Sequence, residues 1–412
     1  MKPLEGLKVV DMSRILSGPY CTMILADMGA DVIKIEPPQG DDTRAWGPPF
    51  IESESSYFLS VNRNKRSLVL NLKKPEGKEI LLDLVRTADI VVENFRPGTL
   101  DKLGIGYETL KAANERIILA SISGFGQTGP YAKRPGYDII AQGMGGLMAV
   151  TGEPGGSPLK AGFSLADVGT GMWAMTGILL ALQARTHTGK GQWVDSSLLE
   201  TMISWQTYLA GNYFASGRNP QPLGGAHSNI CPYQVFEASD GYFNVAVGND
   251  SLWKTFCRAM ELDLAEDPRF ITNAKRVENR SQLIPILQDL FLTNTFRHWV
   301  ELLDRAGIPS GPVYQLSDLY EDPHVLARNM LQTMQHPTIG EVKQVGIPVK
   351  LSDTPGGLVT PPPLLGQHSY AILSEMGLSA ERIDELFASG VTSGQHPDAD
   401  ALKIKLQQSA II

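Results

Sequence analysis

A lone carboxylate at the start of an apolar run is the residue of this chain with the most chemistry open to it. Asp167 follows Ser164-Leu165-Ala166, and the run from Val168 to Leu182 carries apolar side chains on nearly every face of a predicted helix. One interpretation is structural, because aspartate often caps a helix N-terminus. The other is nucleophilic, because the helix dipole keeps a carboxylate ionised there and the carboxylate can attack an activated acyl group. Both roles can hold together.

Three other kinds of motif are incomplete. The first predicted strand is followed by Ser13-Arg14-Ile15-Leu16-Ser17-Gly18 instead of a glycine-rich dinucleotide turn, so we expect neither a nicotinamide nor a flavin cofactor. The segment from Gly162 to Ala166 lacks the second glycine of a hydrolase nucleophile elbow. The seven histidines show no metal-ligand spacing, so no metal is expected.

The composition is that of an ordinary soluble globular protein. The 412 residues include 36 Lys and Arg against 44 Asp and Glu, and the resulting charge of −8 argues against a nucleic-acid partner. Three widely spaced cysteines without a Cys-x-x-Cys pair favour a reducing, cytoplasmic location. We expect no targeting segment before the first strand. The apolar run after Asp167 is shorter than the ~20 residues of a membrane span, so it predicts a core helix and no membrane partner.

The elements that must position Asp167 alternate between strand and helix, which predicts an α/β fold with an open, Rossmann-like parallel sheet. Ligands of such sheets bind beyond the carboxyl ends of the strands, so the loops there are candidate sites. The main predicted strands cover residues 7–12, 31–36, 67–72, 89–95 and 117–123, and the first helices cover 18–28 and 75–88.

A cluster of Gly, Pro, His and Ser between about residues 219 and 232 marks a domain boundary. We predict a large α/β domain over residues 1–218 and a smaller α+β domain over 219–330. Residues 331–412 are predicted to form a C-terminal segment that returns to the large domain.

Six further segments carry a joint resemblance: Gly29 to Glu36, Asn62 to Ser67, Asp89 to Gly98, Thr188 to Gln192, Gly307 to Val313 and Leu365 to His368. Together they resemble the family III CoA-transferases, the group that includes formyl-CoA transferase and carnitine CoA-transferase and is related to the α-methylacyl-CoA racemases. The resemblance spans nearly the whole chain.

The resemblance implies that Asp167 is a nucleophile that attacks the thioester of an acyl-CoA. A mixed anhydride would form and then become an enzyme-bound CoA thioester, from which CoA passes to a second carboxylate. Such a carboxylate needs desolvation and NH donors for the developing oxyanion. The apolar helix and the two glycines beside Asp167, Gly169 and Gly171, are the candidates to supply them.

The resemblance also implies where CoA binds. Pro37 stands where relatives commonly carry arginine, so Arg44 or Lys34 is expected to replace that cationic contact. For the charged side chains among the expected contacts, the alternative is solvated surface charge. The expected contacts are Leu16 and Ser17 first, Leu70, Asn71, Leu72 and Lys73 at the adenine and ribose phosphate, Asn94, Phe95 and Arg96 at the diphosphate, Lys102 at a phosphate, and Tyr137 at the thiol end.

Tyr137 separates two branches of the family. Racemases carry a histidine at this position of the Gly-x-Asp element, which here reads Gly136-Tyr137-Asp138. Tyrosine is a poor general base near neutral pH, so CoA transfer is favoured over racemisation.

The segments from Gly40 to Phe50 and from Gly224 to Tyr233 look most like the succinyl-CoA:glutarate CoA-transferase branch. We therefore predict transfer of CoA from succinyl-CoA to a small dicarboxylate such as glutarate, by an interlaced homodimer. The alternatives are an α-methylacyl-CoA racemase and a non-catalytic CoA-binding protein. A cation must hold the far carboxylate, and its candidates, each also open to a structural salt bridge or loop anchor, are Arg14, Arg44, Arg63 and His227.

Overall fold

The computed structural model describes residues 1–398, which divide into two compact units. The first unit contains residues 1–146, 162–207 and the described residues from 326 onward, and the second contains 147–161 and 208–325. The predicted domain boundaries at 218/219 and 330/331 remain predictions. Residues 399–412 of the predicted C-terminal segment lie outside the described residues.

The first unit is built on eight strands along residues 1–207. They are β1 (Lys8–Asp11), β2 (Asp31–Glu36), β3 (Phe50–Ile51), β4 (Glu54–Ser55), β5 (Lys65–Val69), β6 (Ile90–Glu93), β7 (Ile118–Ser123) and β8 (Trp193–Ser197).

Six of these strands form one sheet in the order β5-β2-β1-β6-β7-β8, and every pairing in it is parallel. The predicted α/β fold with an open parallel sheet is confirmed. Ile90, Val91 and Val92 of β6 have no exposed surface, as expected for a strand near the middle of a sheet buried on both faces. Strand β5 begins two residues before its prediction, and β8, with three polar residues out of five, was not predicted.

The first unit contains ten α-helices within the described residues, and it also contains an antiparallel pair of strands. The helices are α1 (Ser17–Asp27), α2 (Ser56–Val61), α3 (Pro75–Thr87), α4 (Thr99–Leu103), α5 (Tyr107–Ala113), α6 (Asp138–Met144), α8 (Leu165–Thr188), α9 (Leu198–Ser204), α17 (Ser369–Glu375) and α18 (Ala380–Ala388), and the strands are β12 (Leu331–His336) and β13 (Gly340–Val345). The pair β12–β13 follows α9 and precedes α17 in the sequence.

The second unit combines a three-stranded antiparallel sheet with short helices around an aromatic core that includes Trp253, Phe256 and Phe291. Its elements are α7 (Leu147–Val150), α10 (Thr207–Ser216), β9 (Tyr233–Ala238), β10 (Gly241–Ala246), α11 (Asp250–Ala259), α12 (Asn273–Glu278), α13 (Arg280–Phe291), α14 (Phe296–Arg305), β11 (Ser310–Pro312), α15 (Leu316–Glu321) and α16 (Pro323–Ala327).

Helix α8 is longer and more exposed than the predicted core helix. Its 24 residues make it, within residues 1–398, the one helix long and apolar enough to cross a membrane by length and composition, a test that core helices of soluble proteins also pass. Ala174 and Ile178 are fully buried, but Trp173 and Leu180 are 48% and 65% exposed. The prediction of a core helix therefore holds for one face only.

The segment that follows α18 crosses the end of β5 as a C-terminal strap, residues 391–395. The amide of Asn71 donates to the carbonyl of Val391 at 2.8 Å, and the hydroxyl of Thr392 donates to the carbonyl of Val69 at 2.7 Å. Ser369 donates to Ser393 at 2.8 Å. The strap thus fixes the turn that leaves β5.

Candidate active site

Asp167 is the third residue of α8, whose N-cap is Ser164, so the interpretation of Asp167 as the cap is wrong. The carboxylate that satisfies the free amides there belongs to Asp138, the first residue of α6. Its Oδ1 accepts from the amide of Ala166 at 2.9 Å and from that of Asp167 at 3.4 Å. A neighbouring element therefore caps α8, which leaves the carboxyl group of Asp167 free for chemistry.

The half-buried carboxyl group of Asp167 has a pKa raised to about 7, because burial and the negative charge of Asp138 both disfavour its ionised form. The helix dipole, which is expected to keep this group ionised, is thus opposed by burial and by the charge of Asp138. A carboxylate that water and cations stabilise poorly is also a stronger nucleophile.

Tyr57 of α2 interacts electrostatically with Asp167, which the sequence did not reveal. Burial and the negative charges of Asp167, Asp138 and Asp41 raise its pKa to about 12, so its phenol stays protonated beside these carboxyl groups. Trp46 packs edge-on against its ring at 5.1 Å. Neither aromatic residue belongs to a spacing pattern that marks a site.

The two glycines after Asp167 serve packing, which corrects their predicted role as oxyanion donors. Only the first-turn amides of a helix are free, and both glycines lie beyond that turn. A Cβ on Gly171 would lie 2.5 Å from the carbonyl oxygen of Ser17, and one on Gly169 would lie 2.3 Å from the ring of Trp205. Gly171 thus lets α8 contact the start of α1.

Five of the residues predicted to bind CoA line one cavity of about 360 Å³ beyond the carboxyl ends of β1, β2 and β5. Arg14 lies there too, with its guanidinium 5.4 Å from the centre of the Phe95 ring. Pro37 forms part of the same wall, so Arg14 and Lys73 are the cations that the cavity offers. The five predicted residues are Leu70, Asn71, Leu72, Lys73 and Phe95.

Other predicted CoA contacts lie elsewhere in the first unit. Arg96 lines a different cavity of about 290 Å³. Lys102 is an exposed residue of α4 that lines neither cavity. Tyr137 is 65% exposed and is the N-cap of α6, next to Asp138. Their roles in CoA binding stay predictions.

Leu16 and Ser17 lie at the start of α1, at the end of a loop with strained backbone. Ile15 has φ of 71°, a left-handed conformation that costs a β-branched residue about 1–3 kcal/mol. The amide of Asn94 forms two hydrogen bonds with the backbone of Arg14: Oδ1 accepts at 2.8 Å and Nδ2 donates at 2.7 Å. Asn94 thus joins the loop after β1 to the turn after β6.

The buried ion pair between Lys34 and Asp41 also holds the loop between β1 and α1. Lys34 donates to Asp41 and to the carbonyl of Ser13, each at 2.9 Å, and Asp41 accepts from the amide of Ile15 at 3.3 Å. Burial alone would raise the pKa of Asp41, but Lys34 and Thr43 lower it to about 2. Lys34 has no exposed surface and is not among the residues that line the 360 Å³ cavity, so it does not replace the contact missing at Pro37.

Two of the candidate dicarboxylate ligands are engaged in salt bridges. Arg44 binds both carboxylate oxygens of Glu36 at 2.8 Å and lies over the ring of Phe58. Arg63 is 3% exposed and binds both oxygens of Asp27, at 3.0 and 2.7 Å. These contacts favour the structural alternative for both arginines.

The other two candidate ligands of the dicarboxylate, Arg14 and His227, form no buried salt bridge in the described part of the chain. Arg14 pairs with exposed Asp42 at 3.5 Å. His227 belongs to the second unit, where its ring stacks on Tyr208 with centroids 4.8 Å apart and its Nδ1 accepts from the amide of Asn229. The roles of Arg14 and His227 toward a dicarboxylate stay predictions.

Comparison with known proteins gives consistent matches along the chain. The family model of CoA-transferase family III matches residues 4–369. A succinyl-CoA:glutarate CoA-transferase of Mus musculus is 42% identical over 394 residues, 95% of this chain and 90% of that protein. An acetyl-CoA:oxalate CoA-transferase of Acetobacter aceti is 42% identical over 353 residues, 85% and 89% of the two chains. The crystal structure of a CAIB/BAIF family protein from Brucella suis superposes with a TM-score of 0.81 at 43% identity, covering 91% of this chain and 99% of that one.

Proposed function

This chain belongs to CoA-transferase family III, and from that premise we propose that it moves CoA from succinyl-CoA to a small dicarboxylate such as glutarate through covalent intermediates on Asp167. The observation that carries the mechanism is the half-buried carboxyl group of Asp167. Within residues 1–398 no cation forms an ion pair with it, and burial and Asp138 hold its pKa near 7.

The steps follow from that group. The ionised Oδ of Asp167 attacks the thioester carbon, the C–S bond breaks, and CoA leaves as a thiolate while a mixed anhydride forms. The thiolate then attacks the aspartyl carbonyl, which releases succinate and leaves CoA as a thioester on Asp167. The acceptor carboxylate attacks the carbonyl of that thioester, its C–S bond breaks, and CoA leaves as a thiolate while a second mixed anhydride forms. The thiolate then attacks the acceptor's acyl carbon, which gives the new acyl-CoA and releases the carboxylate of Asp167.

Mass spectrometry tests this mechanism directly. Protein incubated with succinyl-CoA should carry a CoA adduct on the peptide that contains Asp167, and hydroxylamine should release it. An adduct on any other peptide would refute the assignment of the nucleophile.

The acceptor is proposed from the relatives and from the cations of the first unit. Relatives of equal identity act on glutarate in one case and oxalate in another, so a dicarboxylate is the common class. Arg14 supports this choice because its guanidinium is only weakly paired. Assay of succinyl-CoA against glutarate, malate, citramalate, itaconate and oxalate tests the choice, and transfer to monocarboxylates alone would refute it.

We also propose that the enzyme is a homodimer. The support is apolar surface on α6 and α8 in the single chain, including Ile139 at 49%, Trp173 at 48% and Leu180 at 65% exposure. Light scattering coupled to gel filtration should give twice the chain mass of 44.8 kDa. A monomer at micromolar concentration would contradict the proposal.

A further inference from the structure

The loop between β1 and α1 is held from outside at three consecutive residues. Lys34 binds the carbonyl of Ser13, Asn94 binds both backbone groups of Arg14, and Asp41 accepts from the amide of Ile15. These side chains come from different positions around the ends of β2 and β6. Such a concentration of side-chain bonds on one short loop indicates a backbone shape that the loop does not adopt unaided.

The backbone of Ile15 explains the need for these bonds. Its φ of 71° lies in the left-handed region, which a β-branched side chain strongly disfavours. Strained backbone of this kind persists only where surrounding contacts impose it, and it is concentrated at functional sites. Asn94 contributes two of these contacts to the residue next to Ile15.

The strained loop connects the acyl-CoA cavity to the nucleophile helix. Arg14 lines the 360 Å³ cavity, while the carbonyl of Ser17 packs against Gly171, about one helical turn beyond Asp167. A relaxed loop would therefore move Arg14 on the cavity wall, whereas Ser17, which contacts Gly171, already belongs to α1.

We propose that Asn94 is a positioning residue, which holds the strained Ile15 backbone in the shape that binds acyl-CoA, rather than a direct ligand of the CoA diphosphate. Both ends of its amide are bonded to Arg14, in agreement with this role. The inference rests on the proposed function only in that CoA binds in the cavity beside this loop.

A double-mutant cycle separates the two roles. Asn94→Ala should weaken CoA binding, measured by calorimetry, and raise the KM for succinyl-CoA, each roughly tenfold, while kcat changes less than about threefold. Glycine adopts a left-handed φ without cost, so with Ile15→Gly the loop should keep its shape without the two hydrogen bonds from Asn94. In the Ile15→Gly background the same Asn94→Ala change should then cost less than about threefold.

Equal losses in both backgrounds would overturn the positioning role, because a direct CoA ligand is needed whatever residue stands at position 15. Ile15→Asn is a second test background, since asparagine tolerates the left-handed region and keeps more backbone stiffness than glycine. It should suppress the Asn94→Ala defect as well, and an undiminished defect in either the Ile15→Gly or the Ile15→Asn background would refute the inference.

Asn114→Ala is the matched control. The amide of Asn114 also bonds backbone carbonyls, those of Val85 and Ala88 at 3.0 and 2.8 Å, at the opposite end of the sheet. Asn114→Ala should lower Tm about as much as Asn94→Ala does, but it should leave CoA affinity unchanged. A wild-type protein that binds CoA but transfers none would refute the proposed function and leave the cycle on CoA affinity decisive for Asn94.

Discussion

Two groups of carboxylates in the first unit have opposite electrostatic surroundings. At the N-terminus of α8, burial and then the negative charge of Asp138 raise the pKa of Asp167 to about 7, and no cation pairs with it in the described part of the chain. Below the β1–α1 loop each carboxylate has a cationic partner. These pairs are Asp11 with Lys65 at 3.1 Å, Asp41 with Lys34 at 2.9 Å and Glu36 with Arg44 at 2.8 Å.

The difference shows how one unit uses the same functional group for two purposes. Burial would raise the pKa of Asp11, but Lys65 and Lys34 hold it below its usual value, so this carboxylate stays ionised and fixes geometry. Within residues 1–398 Asp167 has no such partner, and its pKa near 7 lets it gain or lose a proton at neutral pH. Pairing stabilises structure and suppresses nucleophilicity.

The largest expected effect is on activity. Asp167→Ala should lower kcat for CoA transfer by at least about a thousandfold, because the covalent route needs this carboxylate. Its Tm should stay within a few degrees of wild type. Asp83→Ala, which removes an exposed carboxylate paired with Arg86 on α3, is the control and should retain full activity. Substantial activity in Asp167→Ala would exclude the proposed route.

The second effect is on stability. Lys65→Met should lower the free energy of unfolding by about 3–5 kcal/mol, because it removes the ion-pair partner of the fully buried carboxylate of Asp11 and leaves it only hydrogen bonds such as those from Ser13 and Thr22. Lys190→Met removes an exposed pair with Glu115 and should leave the free energy of unfolding nearly unchanged, because solvent screens such a pair. Urea denaturation followed by circular dichroism measures both. Similar costs for the two variants would show that burial of the pair is unimportant.

The third effect is a pH dependence of opposite sign in the two groups. The raised pKa of Asp167 means that ionisation costs folding free energy, and this cost is complete above about pH 7. Asp167→Asn should therefore have a Tm several degrees above wild type at pH 8, and the gain should vanish toward pH 4.

Asp41→Asn should behave in the reverse sense. The pKa of Asp41 is lowered to about 2, so its ionised form stabilises the fold at neutral pH, and that contribution is lost as pH falls toward 2. The variant should be less stable than wild type at pH 7, and the deficit should shrink in acid. The same sign of pH dependence for both variants would contradict the comparison.

The smallest effect concerns the pH profile. Activity should rise through a midpoint near pH 7 as Asp167 ionises. Asp138→Asn keeps an oxygen to accept from the amide of Ala166 but removes the negative charge, so the midpoint of kcat/KM should fall by about 0.5–1 pH unit. An unchanged midpoint would show that burial alone sets the pKa.

The sequence predicted the parallel sheet and the place of Asp167 near the N-terminus of a long apolar helix, because the hydrophobic pattern along the chain indicates both. It did not predict which groups act on Asp167: the cap from Asp138 comes from 28 residues away. It also assigned Arg63 to a substrate, whereas its partner Asp27 lies 36 residues earlier. The two bonds between Asn94 and Arg14, which span 80 residues, were also not foreseen, and the CoA contact of Asn94 stays a prediction. Charge type is visible in a sequence, but the identity of a distant partner is not.

The C-terminal strap is synthesised long after β5, the strand whose end it holds. Thr392 bonds Val69 across 323 positions, and Val391 fixes the amide of Asn71 on the cavity wall. At usual rates of synthesis the strap leaves the ribosome about 15–60 s after β5. During that interval the nascent chain can form the first strands of its parallel sheet, while the turn after β5 still lacks the hydrogen bonds of the strap. That turn is therefore completed only after translation has passed residue 395.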